Sequence, residues 1–210
     1  MATFIVALAL AASVPTAYSQ VNLSATPEAY ALINRTHTTQ ATYSLVSSNE
    51  LHPDSGTVNE FSAEFNRGDW HRVETPRDRI VANCRTGWSA HLNIATGEIS
   101  HSDGLADAAC GIYTGDLIRT AEVTGSRASQ FGRLQQLRIV TYGATRTYEV
   151  ASNGAIVSET ISDLNDKLRL KMQAVSLSDK LPSDDIFSEG SLAKSAVPEA
   201  TRNQLAGTRP

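Results

Sequence analysis

The sequence predicts a mainly β protein with some α structure (α+β): a curved antiparallel sheet, or an unclosed β-barrel, with an N-terminal helix packing on it or plugging it. Three observations point there. Candidate strands succeed one another at spacings of roughly 8–12 residues, with turn-formers between them. Only the segment after Ala25 carries a good helix start. No strand pattern is followed by a helical period, which disfavours a βαβ architecture.

Composition bounds the rest. The chain has 210 residues, 41% hydrophobic and 19% charged, enough for one closed core. A formal net charge of −4 gives no basic footprint for nucleic acid. The ordinary apolar fraction argues against low-complexity disorder. With 2 cysteines the chain can build neither a small disulfide scaffold nor a four-thiolate zinc site.

Residues 1–19 read as a cleaved secretory signal peptide. Phe4–Ala12 is a short apolar run, and Ala17-Tyr18-Ser19 places small residues at −3 and −1 of a cut before Gln20. The run is too short to span a bilayer core of roughly 30 Å, and no Lys or Arg precedes it. The alternative is a buried N-terminal helix or strand. No later stretch reads as a transmembrane anchor. Export makes Cys84 and Cys110 a structural disulfide, because such bonds persist in oxidising compartments and the spacing is not C-x-x-C. It ties down the glycine-containing segment 101–116, the least regular part of the middle of the chain.

Thr26-Pro27-Glu28 supplies a helix N-cap, a proline at the first helical position and an acid in the first turn. The helix continues through Asn34, and the β-branched residues of 36–39 are expected to end it. Candidate strands are Ala41–Ser47, Val58–Asn66, Trp70–Thr75, Arg79–Cys84 and Trp88–Ala95. Leu117–Val123 is ambiguous between helix and strand. Leu137–Tyr142, Thr145–Ala151 and Ala155–Ile161 form the clearest meander, with Asn153-Gly154 suggesting a type I′ hairpin turn. Leu168, Leu170 and Met172 alternate with Arg169 and Lys171 as a strand with one wet face, and the phase slips at Ala174-Val175, as at a bulge. Residues 20–187 are thus expected as a single β-rich domain, and 188–210 as a flexible C-terminal tail.

The search for chemistry is largely negative. Gly87-Trp88-Ser89-Ala90-His91 departs from G-x-S-x-G at its last position and precedes a strand pattern, so Ser89 reads as a polar strand residue. The 5 histidines form no H-E-x-x-H or close pair, though His71 and His91 could meet across strands. No metal or cofactor is expected. Arg67, Arg72, Arg77, Arg79 and Arg85 are either an anion patch or, as favoured here, a solvated strand edge whose charges block edge-to-edge pairing. Trp70, Trp88, Tyr148, Leu168, Leu170 and Met172 are the candidates for an apolar interior, filled or ligand-lining.

The arrangement resembles the LolA/LolB-like superfamily of periplasmic lipoprotein carriers. The likeness rests on Phe65–Val73 followed by Pro76, and on Ile80-Val81-Ala82-Asn83 with Gly87-Trp88, then Leu92-Asn93 before Thr96-Gly97. It extends to Tyr148-Glu149-Val150 with Asn153-Gly154, and through Leu168–Val175 to Leu181-Pro182 and Ile186-Phe187. Cys84, the long 101–116 segment and the reduced Ile186-Phe187-Ser188 ending depart from the family pattern. The resemblance implies an unclosed barrel capped by helices, whose apolar concave face shields acyl chains. The leading expectation is an exported, periplasmic, monomeric and non-enzymatic carrier or binding protein for a lipid-like or other apolar ligand, such as a lipoprotein acyl chain. The alternatives are an envelope structural or interaction module with a filled core, and a metal-dependent enzyme.

Overall fold

The computed structural model describes residues 24–114 and 118–206. The expected signal peptide lies outside them. The strands are β1 (Ser24–Ala25), β2 (Thr42–Leu51), β3 (Val58–Arg67), β4 (Trp70–Glu74), β5 (Asp78–Asn83), β6 (Trp88–Asn93) and β7 (Ile99–Ser100). After the middle of the chain come β8 (Ile118–Ser129), β9 (Gly132–Thr141), β10 (Ala144–Val150), β11 (Ile156–Asp163) and β12 (Leu168–Ser178). They form one 12-stranded sheet in the order β1-β8-β9-β10-β11-β12-β2-β3-β4-β5-β6-β7. Two meanders therefore run outward from a central β12–β2 ladder. The sheet is curved and unclosed, and every ladder is antiparallel except β1 on β8. The ambiguous segment after residue 117 is strand, because its partner β9 supplies a full ladder.

Helix α1 (Pro27–Thr38) starts as its residues dictate: the Thr26 side chain accepts from the Ala29 amide at 3.2 Å and proline occupies the first turn. It runs on to Thr38, past the expected stop. The β-branched Thr36 is tolerated there because it is buried and its hydroxyl donates to the Ile33 carbonyl at 2.7 Å. That same oxygen accepts from the Ile112 amide at 3.1 Å, docking the disulfide-tied segment onto the helix. Gly111 makes the approach possible: its φ is +97°, and a Cβ there would lie 2.6 Å from Thr36 Oγ1.

The described part of the 101–116 segment, residues 101–114, is more ordered than expected. It contains helix α2 (Asp103–Ala109), followed by Cys110, which is bonded to Cys84. The Asn153-Gly154 loop is also not a type I′ turn. Gly154 has φ +87° but Asn153 does not share a positive φ, and a bulge lies at Glu149/Val150. The Gly154 amide instead donates to the Ala151 carbonyl, and the strands close where the Ala151 amide donates to the Ala155 carbonyl. The slip at Ala174 is present, as a register shift between Ala174 and Ser176.

The largest correction concerns the expected tail. A 3₁₀ turn (Glu189–Ala193) and helix α3 (Glu199–Ala206) follow the last strand, and Ile186, Phe187, Leu192 and Val197 are buried against Phe61, Phe65, Val81 and Leu92. The segment is short of hydrophobic periodicity because scattered single anchors hold it, not an amphipathic face. Arg72 is the second correction. It is no solvated edge charge: it is fully buried, donates to Glu74 Oε1 at 2.7 Å and binds the carbonyls of Ile186 and Lys194 at 2.7 and 2.6 Å. Glu74 in turn accepts from the Ser195 hydroxyl and the Ala196 amide at 2.6 and 2.7 Å.

Cross-strand partners share a face, so the registers divide the core. On one face, here the helix face, α1 packs Leu32 and Ile33 against Leu137, Ile139 and Tyr148. On the same face α2 packs Ala106 and Ala109 against Ala82. The opposite face of β3–β6 carries the C-terminal segment.

Candidate functional site

Between the areas covered by α1 and α2, the central strands leave a half-open strip of the helix face. Its outer row runs Ile161–Leu170–Leu51–Val58 across β11, β12, β2 and β3. The row beneath it runs Tyr148–Glu159–Met172–Asn49–Glu60. The outer row is aliphatic throughout and incompletely covered: Val58 keeps 49% of its surface exposed, and Ile161, Leu170 and Leu51 are half-buried. Alternation places it, since residues two apart on each strand point the same way.

The lower row is amphipathic. Burial drives the Tyr148 hydroxyl up, with the Glu159 charge adding to the shift and Arg146 opposing it. Burial likewise raises the Glu159 carboxyl, against Tyr148 and Arg146. Each of these groups is thereby biased toward its neutral form.

Of the residues expected to line an interior, the structure brings three to this face. Leu170 and Met172 belong to the strip, and Tyr148 lies at its α1 side, fully buried against the helix. Leu168 drops out of the alternation, because a register shift sets it opposite Ser162 while Leu170 faces Ile161. Trp70 and Trp88 lie on the opposite face, where their rings meet edge-on at 5.8 Å. The six residues therefore do not form one site. Leu51, Ile161 and Val58 were missed, because each becomes part of the row only through strand register.

A second polar cluster sits under α2. The Tyr43 hydroxyl donates to Glu64, and the Glu64 carboxylate lies 3.5 Å from His71 Nδ1. Burial pushes Glu64 up to about 7, opposed by the Tyr43 hydrogen bond. Burial pulls His71 down to about 4, with the Ala109 backbone opposing and His37 reinforcing. His37 holds the Ile112 carbonyl at 2.7 Å, and its own pKa is lowered by burial. These groups are walled in by α2 and the disulfide loop, which suits a structural role.

Neither motif considered for catalysis assembles. Ser89 donates to the Ser102 carbonyl at 2.5 Å, and among the described residues no side-chain base is hydrogen-bonded to it. His91 pairs with Asp78 at 2.7 Å, and β5 separates it from His71. Among the described residues no group of three His, Cys, Asp or Glu side chains could hold a metal ion. Among them, too, no helix is long and apolar enough to cross a membrane.

No protein-family model matches the sequence, and no curated protein matches it. Solved structures do share the fold. MucB is similar over 80% of this chain and 64% of its own, at 13% identity and TM-score 0.51. An uncharacterised conserved protein from Thermus thermophilus matches over 82% and 95%, at 11% identity and TM-score 0.53. The complex of Pseudomonas aeruginosa MucA and MucB matches over 77% and 60%, at 12% identity and TM-score 0.53. The chain thus spans under two thirds of the MucB length. The likeness is one of fold. A LolA superfamily protein from Nitrosomonas europaea matches over 78% of this chain and 99% of its own, at 11% identity and TM-score 0.39.

Proposed function

We propose that this protein is an exported, periplasmic binding protein, without catalytic activity, that carries a lipid-like or other apolar ligand, such as a lipoprotein acyl chain, on the helix-face strip. The observation that carries this reading is the aliphatic row Ile161–Leu170–Leu51–Val58, half-exposed on a face whose flanks are covered by helices. Apolar surface left open on a curved sheet gains by contact with an acyl chain at about 25 cal/mol per Å².

Mass spectrometry of lipids extracted from the purified mature protein, with a fluorescent fatty-acyl ester probe that carries no free carboxylate titrated into it, tests the reading. The probe is expected to bind, and Leu170→Ser with Met172→Ser to weaken it tenfold or more. Stability should fall by only about 1 kcal/mol for each change, since both side chains are half-buried. A protein that is ligand-free and ignores the probe would overturn the proposal.

A second reading, an interaction module of the envelope, is favoured by a different observation. MucB, which shares the fold, has been solved in complex with MucA. A protein partner seated on the same strip would be lost with the same substitutions while lipid probes stay unbound.

A further inference from the structure

Of the clustered arginines, Arg79 has a neighbour that sequence spacing did not suggest. It lies on the face opposite the strip, where α3 crosses the start of β3 and the β4–β5 turn. There the chain encloses a cleft of about 470 Å³. Its lining combines apolar Val58, Phe61, Pro76 and Ile94 with Arg79, Arg202 and Asn203.

The two guanidinium groups are incompletely used. Arg79 donates Nη1 to the Leu192 carbonyl at 2.7 Å, and its Nε stays 3.9 Å from Glu74, which is already engaged by Arg72. Arg202 makes no ion pair among the described residues, and its Nε is shielded from solvent without an acceptor. A desolvated cationic donor lacking an acceptor is unfavourable, and a carboxylate would relieve it through the paired geometry that suits arginine. The acid at the rim does not compete: Glu60 is held by Arg77 Nη2, at 3.1 and 3.0 Å to its two oxygens. The cleft thus combines uncompensated positive charge with an apolar lining, in a volume ordinary for small-molecule sites.

We propose that this cleft binds an aliphatic monocarboxylate, its carboxylate held by Arg202 and Arg79 and its chain laid against Phe61, Pro76 and Ile94. The cleft shares Val58 and Glu60 with the β3 end of the helix-face strip, but Arg79, Arg202, Phe61, Pro76 and Ile94 lie outside the strip, and occupation of the cleft does not depend on the strip carrying a ligand.

Calorimetric titration of the purified protein with octanoate tests it, beside 1-octanol and octylammonium as neutral and cationic counterparts. Octanoate is expected to bind at least tenfold more tightly than either. Arg202→Met should weaken octanoate tenfold or more, with Arg202→Lys falling between it and the unaltered protein. Leu170→Ser should leave octanoate binding unchanged, which separates this cleft from the strip. If Arg202→Met does not fold, amide shifts of Phe61 and Ile94 on adding octanoate to the unaltered protein and to Arg202→Lys decide the matter. Equal binding of 1-octanol, unaltered affinity in the Arg202 variants, shifts confined to Ile161, Leu170 and Leu51, or no octanoate binding would each overturn the proposal.

Discussion

Beneath α2, Glu64 and His71 lie 3.5 Å apart, with burial raising the first and lowering the second. Beneath the C-terminal segment on the opposite face, Arg72 and Glu74 are at 2.7 Å, both fully buried and both in several further hydrogen bonds. One face thus accommodates ionisable groups by favouring their neutral forms, and the other by pairing charges and satisfying them with backbone groups. The contrast follows from what each face must hold. The helix face is closed by a covalent link, Cys84–Cys110, so Glu64 and His71 are not needed as fasteners there. The opposite face has no such link, and Arg72 and Glu74 themselves fasten residues 186–196 to the sheet.

The sharpest way to break this comparison is Arg72→Met. Removing one partner of a buried pair leaves Glu74 uncompensated, and a loss of about 3–5 kcal/mol is expected. Urea unfolding measures the loss, and limited proteolysis should cut first within 188–206. A variant as stable and as protease-resistant as the parent would show that hydrophobic anchors alone hold the segment.

Replacing Cys84 and Cys110 with serine should cost somewhat less. The bridge spans a sequence separation of 26, worth about 3–4 kcal/mol through the entropy of the unfolded chain. Proteolysis should then open the loop around α2 and spare the C-terminal segment. Cleavage at 188–206 in this variant would dissolve the distinction between the two fastenings.

The smallest effect is one of pH. Glu64 binds its proton more tightly folded than unfolded, so its contribution is lost as pH rises from its ordinary 4.5 toward about 7. His71 does the reverse: its contribution is lost as pH falls from 6.5 toward about 4, because only the unfolded chain protonates readily. The two slopes oppose each other over most of that range. Glu64→Gln should therefore lose stability on acidification, and His71→Phe on alkalinisation, each by at most about 1.4 kcal/mol per pH unit. Urea midpoints at several pH values check this. Parallel profiles for the parent and both variants would mean that neither group is held neutral.

Legibility followed the range of the interactions. The first turn of α1 was written in Thr26-Pro27-Glu28, and the outer meander in alternating residues bounded by turn-formers. Helix α2 was obscured because its seven residues, with a glycine at the second position, are too short for a period to show. The C-terminal segment was misread because Leu192 and Val197 are single anchors, meaningful only against Phe61 and Leu92. Half of the candidate site was visible as the Leu170 and Met172 alternation. The other half, Leu51 from the distant β2 and Ile161 from the preceding β11, comes alongside only through strand register.

By itself the sequence determined the curved antiparallel meander, the N-terminal helix and a cysteine pair fit for bridging, because these arise from neighbours along the chain. The tertiary structure alone decided that the aromatic pair Trp70 and Trp88 faces away from the aliphatic row, that Arg72 is interior, and that a cleft opens beside Arg202. Which side of a sheet becomes covered, and by what, depends on where distant segments return, and a period of two residues specifies two faces without saying which of them meets a helix, a strap or a ligand.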